Sequence, residues 1–204
     1  MSPSDAAEGA LVWLDVGAHQ GEASLYAAQQ NPNLTVYAFE PNLPAIAALF
    51  ARLHNYIVIP AAVCETDGTA LFYVNTADDT SSLLPVTEEG MARWVDPSGL
   101  PTRRAATVLT TRLDAFMAQA GITHVDYMKV DAQGGDLAVL RSAGARLRDF
   151  DRVMVEVQTT PFALYAGAGT KEEVLAHMAA FGFALVETHA QSHGQEENLV
   201  FVRR

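Results

Sequence analysis

The sequence predicts an α/β fold: a mostly parallel, doubly wound sheet with helices on both faces. Two observations carry this. Short apolar runs alternate with amphipathic stretches through the first 60 residues and again after residue 125. A Gly-containing turn, Gly17-x-x-x-Gly21, stands where the first run meets the first helical stretch, as the ligand crevice of such a sheet requires. The chain has 204 residues, 50% hydrophobic and 18% charged, enough to bury the core of one domain.

Residues 11–16 are a short apolar run that suits a strand buried on both faces. Residues 22–30 favour a helix, stopped by Asn31-Pro32-Asn33. Residues 34–39 read as a second strand closed by Glu40-Pro41. Ile46, Leu49, Phe50 and Leu53 then mark one helix face, and residues 56–63 a third strand. Leu71 to Val74 reads as an extra strand, and residues 110–120 as a helix. Between them, residues 75–106 show weak periodicity, so a lid on the substrate side is expected there, with a structured insertion as the alternative. Residues 125–130 and 152–157 continue the strands. Leu137, Leu140, Gly144 and Leu147 mark one helix between and after them, and Val174, Leu175, Met178 and Phe181 mark another. Residues 183–187 and 199–202 close a series of seven strands. A polar loop over 188–197 joins this last pair without a helix, so they should pair antiparallel at one edge.

The net charge of −11 argues against binding nucleic acid or an anionic membrane by bulk charge. Cys64 is the one cysteine, which excludes an intrachain disulfide and fits a reducing compartment. Residues 1–5 lack the basic and apolar regions of a leader, and no apolar run reaches membrane-spanning length. A cytoplasmic protein is expected.

The chemistry concentrates in three places. Gly17 permits a tight turn and close ligand approach, and Gly21 a close entry into the helix, whose N-terminal N–H groups attract an anion. His19 stands where a dinucleotide fold needs its second glycine, which disfavours a diphosphate cofactor. Glu40 lies 23 residues beyond Gly17 at the end of the second strand, placed to accept hydrogen bonds from both ribose hydroxyls. Together these favour a ribose-bearing cofactor with a compact charged end, and S-adenosylmethionine fits. Asp131 ends the fourth strand and faces the crevice, with Lys129 on the same face as an expected ion-pair partner. Asp131 is the first candidate for the proton acceptor, Glu156 the second, and His19 or His189 the third. His189, His193, Glu196 and Glu197 have metal-ligand residue types but fall in a predicted loop, so no metal is expected.

The chain is similar to the FkbM family of S-adenosylmethionine-dependent methyltransferases. The likeness runs from Asp15-Val16-Gly17-Ala18-x-x-Gly21 and Phe39-Glu40-Pro41 through Arg112-x-Asp114 and Lys129-x-Asp131-x-x-Gly134-x-Asp136. It ends on Val155-Glu156-Val157 and Asn198-x-x-Phe201. The resemblance implies a Rossmann-like seven-stranded methyltransferase sheet in one domain over 1–204. It also implies methyl transfer to a hydroxyl of a sugar, glycoside or polyketide-type small molecule. It places cofactor contacts at Asp15, Gly17, Gly21 and Glu40, with Asp131 beside the methyl donor; Ala18, His19 and Pro41, in the same two turns, are expected to join them. The family usually has Asn at position 19, Glu at 133 and Glu at 136, where this chain has His19, Gln133 and Asp136. Three other readings compete: an N-methyltransferase, for which the Pro-Pro motif after the fourth strand is missing; a nicotinamide oxidoreductase; and a cofactor-binding protein without turnover.

Overall fold

The computed structural model describes residues 9–22 and 24–204. The leader reading of residues 1–5 lies outside the described residues. The chain runs β1 (Leu11–Val16), α1 (Leu25–Gln30), β2 (Leu34–Phe39), α2 (Leu43–Ile46), β3 (Tyr56–Ile59), β4 (Ala61–Val63) and β5 (Gly68–Asn75). It continues as α3 (Glu88–Arg93), β6 (Thr102–Thr111), α4 (Leu113–Ala120), β7 (Val125–Val130), α5 (Asp136–Ser142) and β8 (Phe150–Gln158). It ends with α6 (Lys171–Ala180), β9 (Phe183–Gln191) and β10 (Glu196–Arg203).

The main sheet has seven strands in the order β3-β2-β1-β7-β8-β10-β9. The first five are parallel, and β10 pairs antiparallel with both β8 and β9, the terminal hairpin the sequence predicts. Strand alternation assigns the two faces. Val36 and Ala38 pack toward α1 and α2, while Tyr37 and Phe39 join the larger core that takes Leu113 and Met117 of α4, Leu140 of α5 and Met178 of α6. The order reverses between β1 and β7, whose ends lie in register at Val16 and Val130. That switch point opens the crevice just beyond both strands, at Gly17 and Asp131. Among the described residues no helix is long and apolar enough to cross a membrane.

Several boundaries differ from the sequence reading. The expected third strand divides at Pro60: β3 stays in the main sheet and β4 joins a second sheet of order β4-β6-β5. Strand β6, ten residues long, occupies positions read as loop and as helix start. Most of it is solvent-exposed, so no apolar alternation announces it; its pairing with β5 makes it a strand. Helix α4 accordingly starts at Leu113, and α1 starts at Leu25 rather than at 22. The expected helix face through Phe50 is cut short. After α2 the chain tightens into a 3-10 turn over Ala47–Leu49, in which residues three apart align. Ile46 and Leu49 are buried and Phe50 turns out, 47% exposed. The polar loop expected over 188–197 shrinks to the turn 192–195, because β9 and β10 pair out to Gln191 and Glu196. Segment 75–106 is structured, with α3, two 3-10 turns and a small core of Leu100, Leu164 and Tyr165 against Trp94.

Candidate active site

The turn after β1 is built backbone to backbone. Gly17 has φ +73°, and a β-carbon there would lie 1.8 Å from the Asp131 carbonyl oxygen. The amides of Gly17 and Ala18 both donate to the Phe39 carbonyl, at 3.0 and 3.1 Å. Gly21 has φ +80°, and a β-carbon there would press Leu49 Cδ1 at 2.7 Å. His19, also left-handed at φ 45°, donates its amide to Glu40 Oε2 at 3.0 Å. Asn42 donates its amide to Glu40 Oε1 at 2.7 Å. These two bonds fix the Glu40 carboxylate at the end of β2. Burial raises the Glu40 pKa above the ordinary glutamate value, against the lowering effect of the two amides.

Asp15 and Lys129 lie side by side on neighbouring strands and point to the α1 face. Asp15 is 1% exposed and accepts a hydrogen bond from Ser24 Oγ, which also contacts Tyr56 Oη at 3.1 Å. Its Oδ1 has no hydrogen-bond donor; Lys129 Nζ stands 3.8 Å away. Burial holds the Asp15 pKa above the usual range. Lys129 Nζ donates to the Gly17 carbonyl at 2.9 Å and pairs with Asp131 Oδ2 at 3.2 Å. Burial works against its charge, but Asp131 and Asp15 outweigh that and push its pKa up. Lys129 is thus ion-paired with Asp131, as the sequence spacing predicts.

A cavity of about 560 Å³ opens at the switch point. Of the sequence-predicted residues, Gly17, His19, Glu40, Pro41 and Asp131 line it. Asp15, Ala18 and Gly21 do not: they build the turn from behind. Glu156 does not line it either. Gln133 bridges it to Asp131, donating from Nε2 to Asp131 Oδ1 at 2.7 Å and to Glu156 Oε2 at 3.0 Å. Burial, then the charge of Asp131, raises the Glu156 pKa well above an ordinary glutamate. Asp136 closes the turn after β7, accepting from the amides of Ala132 at 2.8 Å and Gly134 at 3.0 Å. Its burial drives the pKa to about 7.

Segment 75–106 supplies Asp78, Asp79, Ser81, Leu83 and Leu84 to the cavity wall. His19 bridges to it: Nδ1 is 2.9 Å from Glu22 Oε1, and Nε2 is 3.1 Å from Asp78 Oδ1, off the line of a hydrogen bond. Burial pulls the His19 pKa down, but the two carboxylates prevail and raise it.

Sequence reasoning missed Glu22, Asp78, Asp79, Tyr165 and Met154. Asp78-Asp79 after an apolar strand and Glu22 one residue past Gly21 were local signals; Tyr165 and Met154 depend on long-range packing. Cys64, one residue past β4, is half-buried at the cavity wall. The residues weighed as metal ligands do not converge. Exposed His189 faces Glu187 at 3.1 Å, Glu196 accepts from Ser192 Oγ at 2.5 Å, and Glu197 pairs with Lys171. His177 on α6 is half-buried, its ring 5.0 Å from that of Phe181 just past the helix end.

A doubly wound sheet with an acidic residue just beyond β2 and a cavity at the switch point defines a Rossmann-like α/β protein. The chain belongs to the FkbM methyltransferase domain family, whose model matches residues 15–185. It is similar to Methyltransferase 1 of Beauveria bassiana, 28% identical over 158 residues, spanning 71% of this chain and 63% of that protein. It is also similar to the AMB antimetabolite synthetase AmbE of Pseudomonas aeruginosa, 28% identical over 180 residues, 72% of this chain and 8% of the synthetase. The chain thus spans less than two thirds of either relative. Among solved structures, magnesium protoporphyrin IX methyltransferase from Synechocystis with bound SAH is 12% identical with a TM-score of 0.52, covering 95% of this chain and 74% of that one. Aeropyrum pernix fibrillarin with bound S-adenosyl-L-methionine is 12% identical with a TM-score of 0.51, covering 95% and 66%. At these identities the two structures share the fold.

Proposed function

We propose that this chain is an S-adenosylmethionine-dependent O-methyltransferase acting on a hydroxyl of a small molecule: a sugar, a glycoside or a polyketide-type natural product. The observation that carries the reading is that the Gly17 turn, Glu40 and Asp131 line a single cavity, of a size suited to one drug-sized ligand.

The residues fit the cofactor. Each Glu40 oxygen accepts one backbone amide and keeps lone-pair capacity for a ribose hydroxyl. The wall carries Glu22, Glu40, Asp78, Asp79 and Asp131 against Lys129 and His19, so its field favours a cation. Asp15, Ala18 and Gly21 shape the turn, His19 and Pro41 flank Glu40, and Gly17 lets a ligand approach the backbone. When bound, S-adenosylmethionine supplies an electrophilic methyl group on a sulfonium centre. Asp131 accepts the proton of the acceptor hydroxyl at a carboxylate oxygen. Glu156, beyond Gln133, acts through that amide. Phe72, Leu83 and Leu84 keep water from the cavity. In this reading the chain is one catalytic domain, segment 75–106 is its cover, and the cytoplasm is its compartment.

Calorimetric titration with S-adenosylmethionine, S-adenosylhomocysteine and NAD tests the cofactor. Heat from the first two supports the reading, and heat from NAD alone rejects it. A panel of sugars, glycosides and polyketide-like alcohols, read by product mass, tests the acceptor. An amine methylated in preference to every alcohol would replace O-transfer with N-transfer.

A further inference from the structure

We propose that Gln133 is a positioning residue that aims Asp131 into the cavity and joins it to Glu156 and to the insertion. The functional meaning rests on the reading of Asp131 as proton acceptor; the arrangement itself is testable without turnover.

Gln133 has φ +50°, a left-handed conformation that a residue with a β-carbon keeps only where its surroundings enforce it. Four contacts enforce it. Its carbonyl oxygen accepts from Ser82 Oγ at 2.7 Å. Its Oε1 faces Tyr165 Oη at 2.8 Å, and the same hydroxyl lies 2.8 Å from the Thr80 carbonyl. Its Nε2 spends both hydrogens on acids, one on Asp131 Oδ1 and one on Glu156 Oε2. Lys129 holds the other oxygen of Asp131. The carboxylate is therefore gripped at both oxygens, and the grip extends to the cover segment through Tyr165 and Ser82.

The residue type matters. The resemblance puts a glutamate at this position in most of the family. A carboxylate here would turn two N–H donations into oxygen–oxygen contacts and set three acids against one another in a buried site. The amide instead gives each acid an N–H donor, to Asp131 at the cavity wall and to Glu156 behind it.

Two NMR measurements on the full chain test this. The first follows the two Nε2 protons of Gln133. In Asp131→Asn one of them should shift, and in Glu156→Gln the other. Both substitutions moving the same proton, or neither moving any, would overturn the bridge. The second follows the Glu156 carboxyl through a ¹³C-detected pH titration. It should titrate well above a free glutamate in the wild type, and higher still in Gln133→Met and in Gln133→Glu. If the methionine variant fails to fold, the nearly isosteric glutamate variant carries the titration. An identical Glu156 midpoint in wild type and variant leaves Gln133 a packing residue and the proposal wrong. Calorimetry with S-adenosylmethionine runs alongside. Absent heat there would remove the methyltransferase reading, whereas intact heat with an unmoved midpoint removes only the role of Gln133.

Discussion

Gly17 and Asp131 meet backbone to backbone: a β-carbon on Gly17 would sit 1.8 Å from the Asp131 carbonyl oxygen. The contact brings the ends of β1 and β7 together and sets the floor of the cavity. Gly17→Ala combines that clash with a left-handed φ, and should destabilise the chain by roughly 2–5 kcal/mol. A thermal melt should show the midpoint falling by roughly 5–15 °C. A drop of a degree or less would mean that the turn is not rigid.

Glu40 should set cofactor affinity. Glu40→Ala removes the acceptor of two backbone amides and, in the proposed function, of the ribose hydroxyls. Binding of S-adenosylmethionine should weaken by about 1–3 kcal/mol, or roughly 5- to 150-fold. An unchanged dissociation constant by calorimetry would take the ribose role from Glu40.

Stability should fall as pH rises from about 5 to about 8. Asp136 goes from an unfolded value of 3.8 to about 7 when folded. A raised acid adds stability in full below its unfolded value and loses it as pH climbs through the folded one. Glu156, Glu196, Asp15 and Glu40 are raised too and share this sign. His19, also raised, gives stability that fades above 6.5. Asp114 and Glu22 are lowered, and their opposite contributions are complete by about pH 5; His177, lowered by burial, opposes the decline until about pH 6.5, one group against several. Urea unfolding across this range should therefore show a declining midpoint, with a shallower decline in Asp136→Asn. A flat or rising profile would contradict the burial of these protons.

His19 should titrate above a free imidazole, since Glu22 and Asp78 outweigh its burial. Asp78→Asn should bring its midpoint down, as should Glu22→Gln. Histidine-selective ¹⁵N spectra recorded against pH read this directly. Were His19 indifferent to both substitutions, the link between the β1 turn and the insertion would not be electrostatic.

Much of this was legible in residue order. The strands at 11–16, 34–39 and 125–130 appear in the fold with those bounds. Each is a short apolar run bounded by Gly, Pro or Asp, and burial on both faces demands such a run. Strand β6 was invisible for the converse reason: its exposed positions place no demand on side-chain type, and its partner β5 decides its conformation.

The candidate site divides along the same line. Gly17, Glu40 and Asp131 could be named from the sequence because each ends a strand, and the ends of parallel strands on either side of a switch point converge by topology. Covalent order and hydrophobic periodicity therefore sufficed for the sheet, the crevice and the three residues at its floor. The walls of the crevice were decided only by folding in space. Asp78 reaches His19, and Tyr165 reaches Gln133, across 59 and 32 positions of chain. Contacts at that separation leave no local pattern, because each side chain is chosen to suit a partner that only the packed fold brings near.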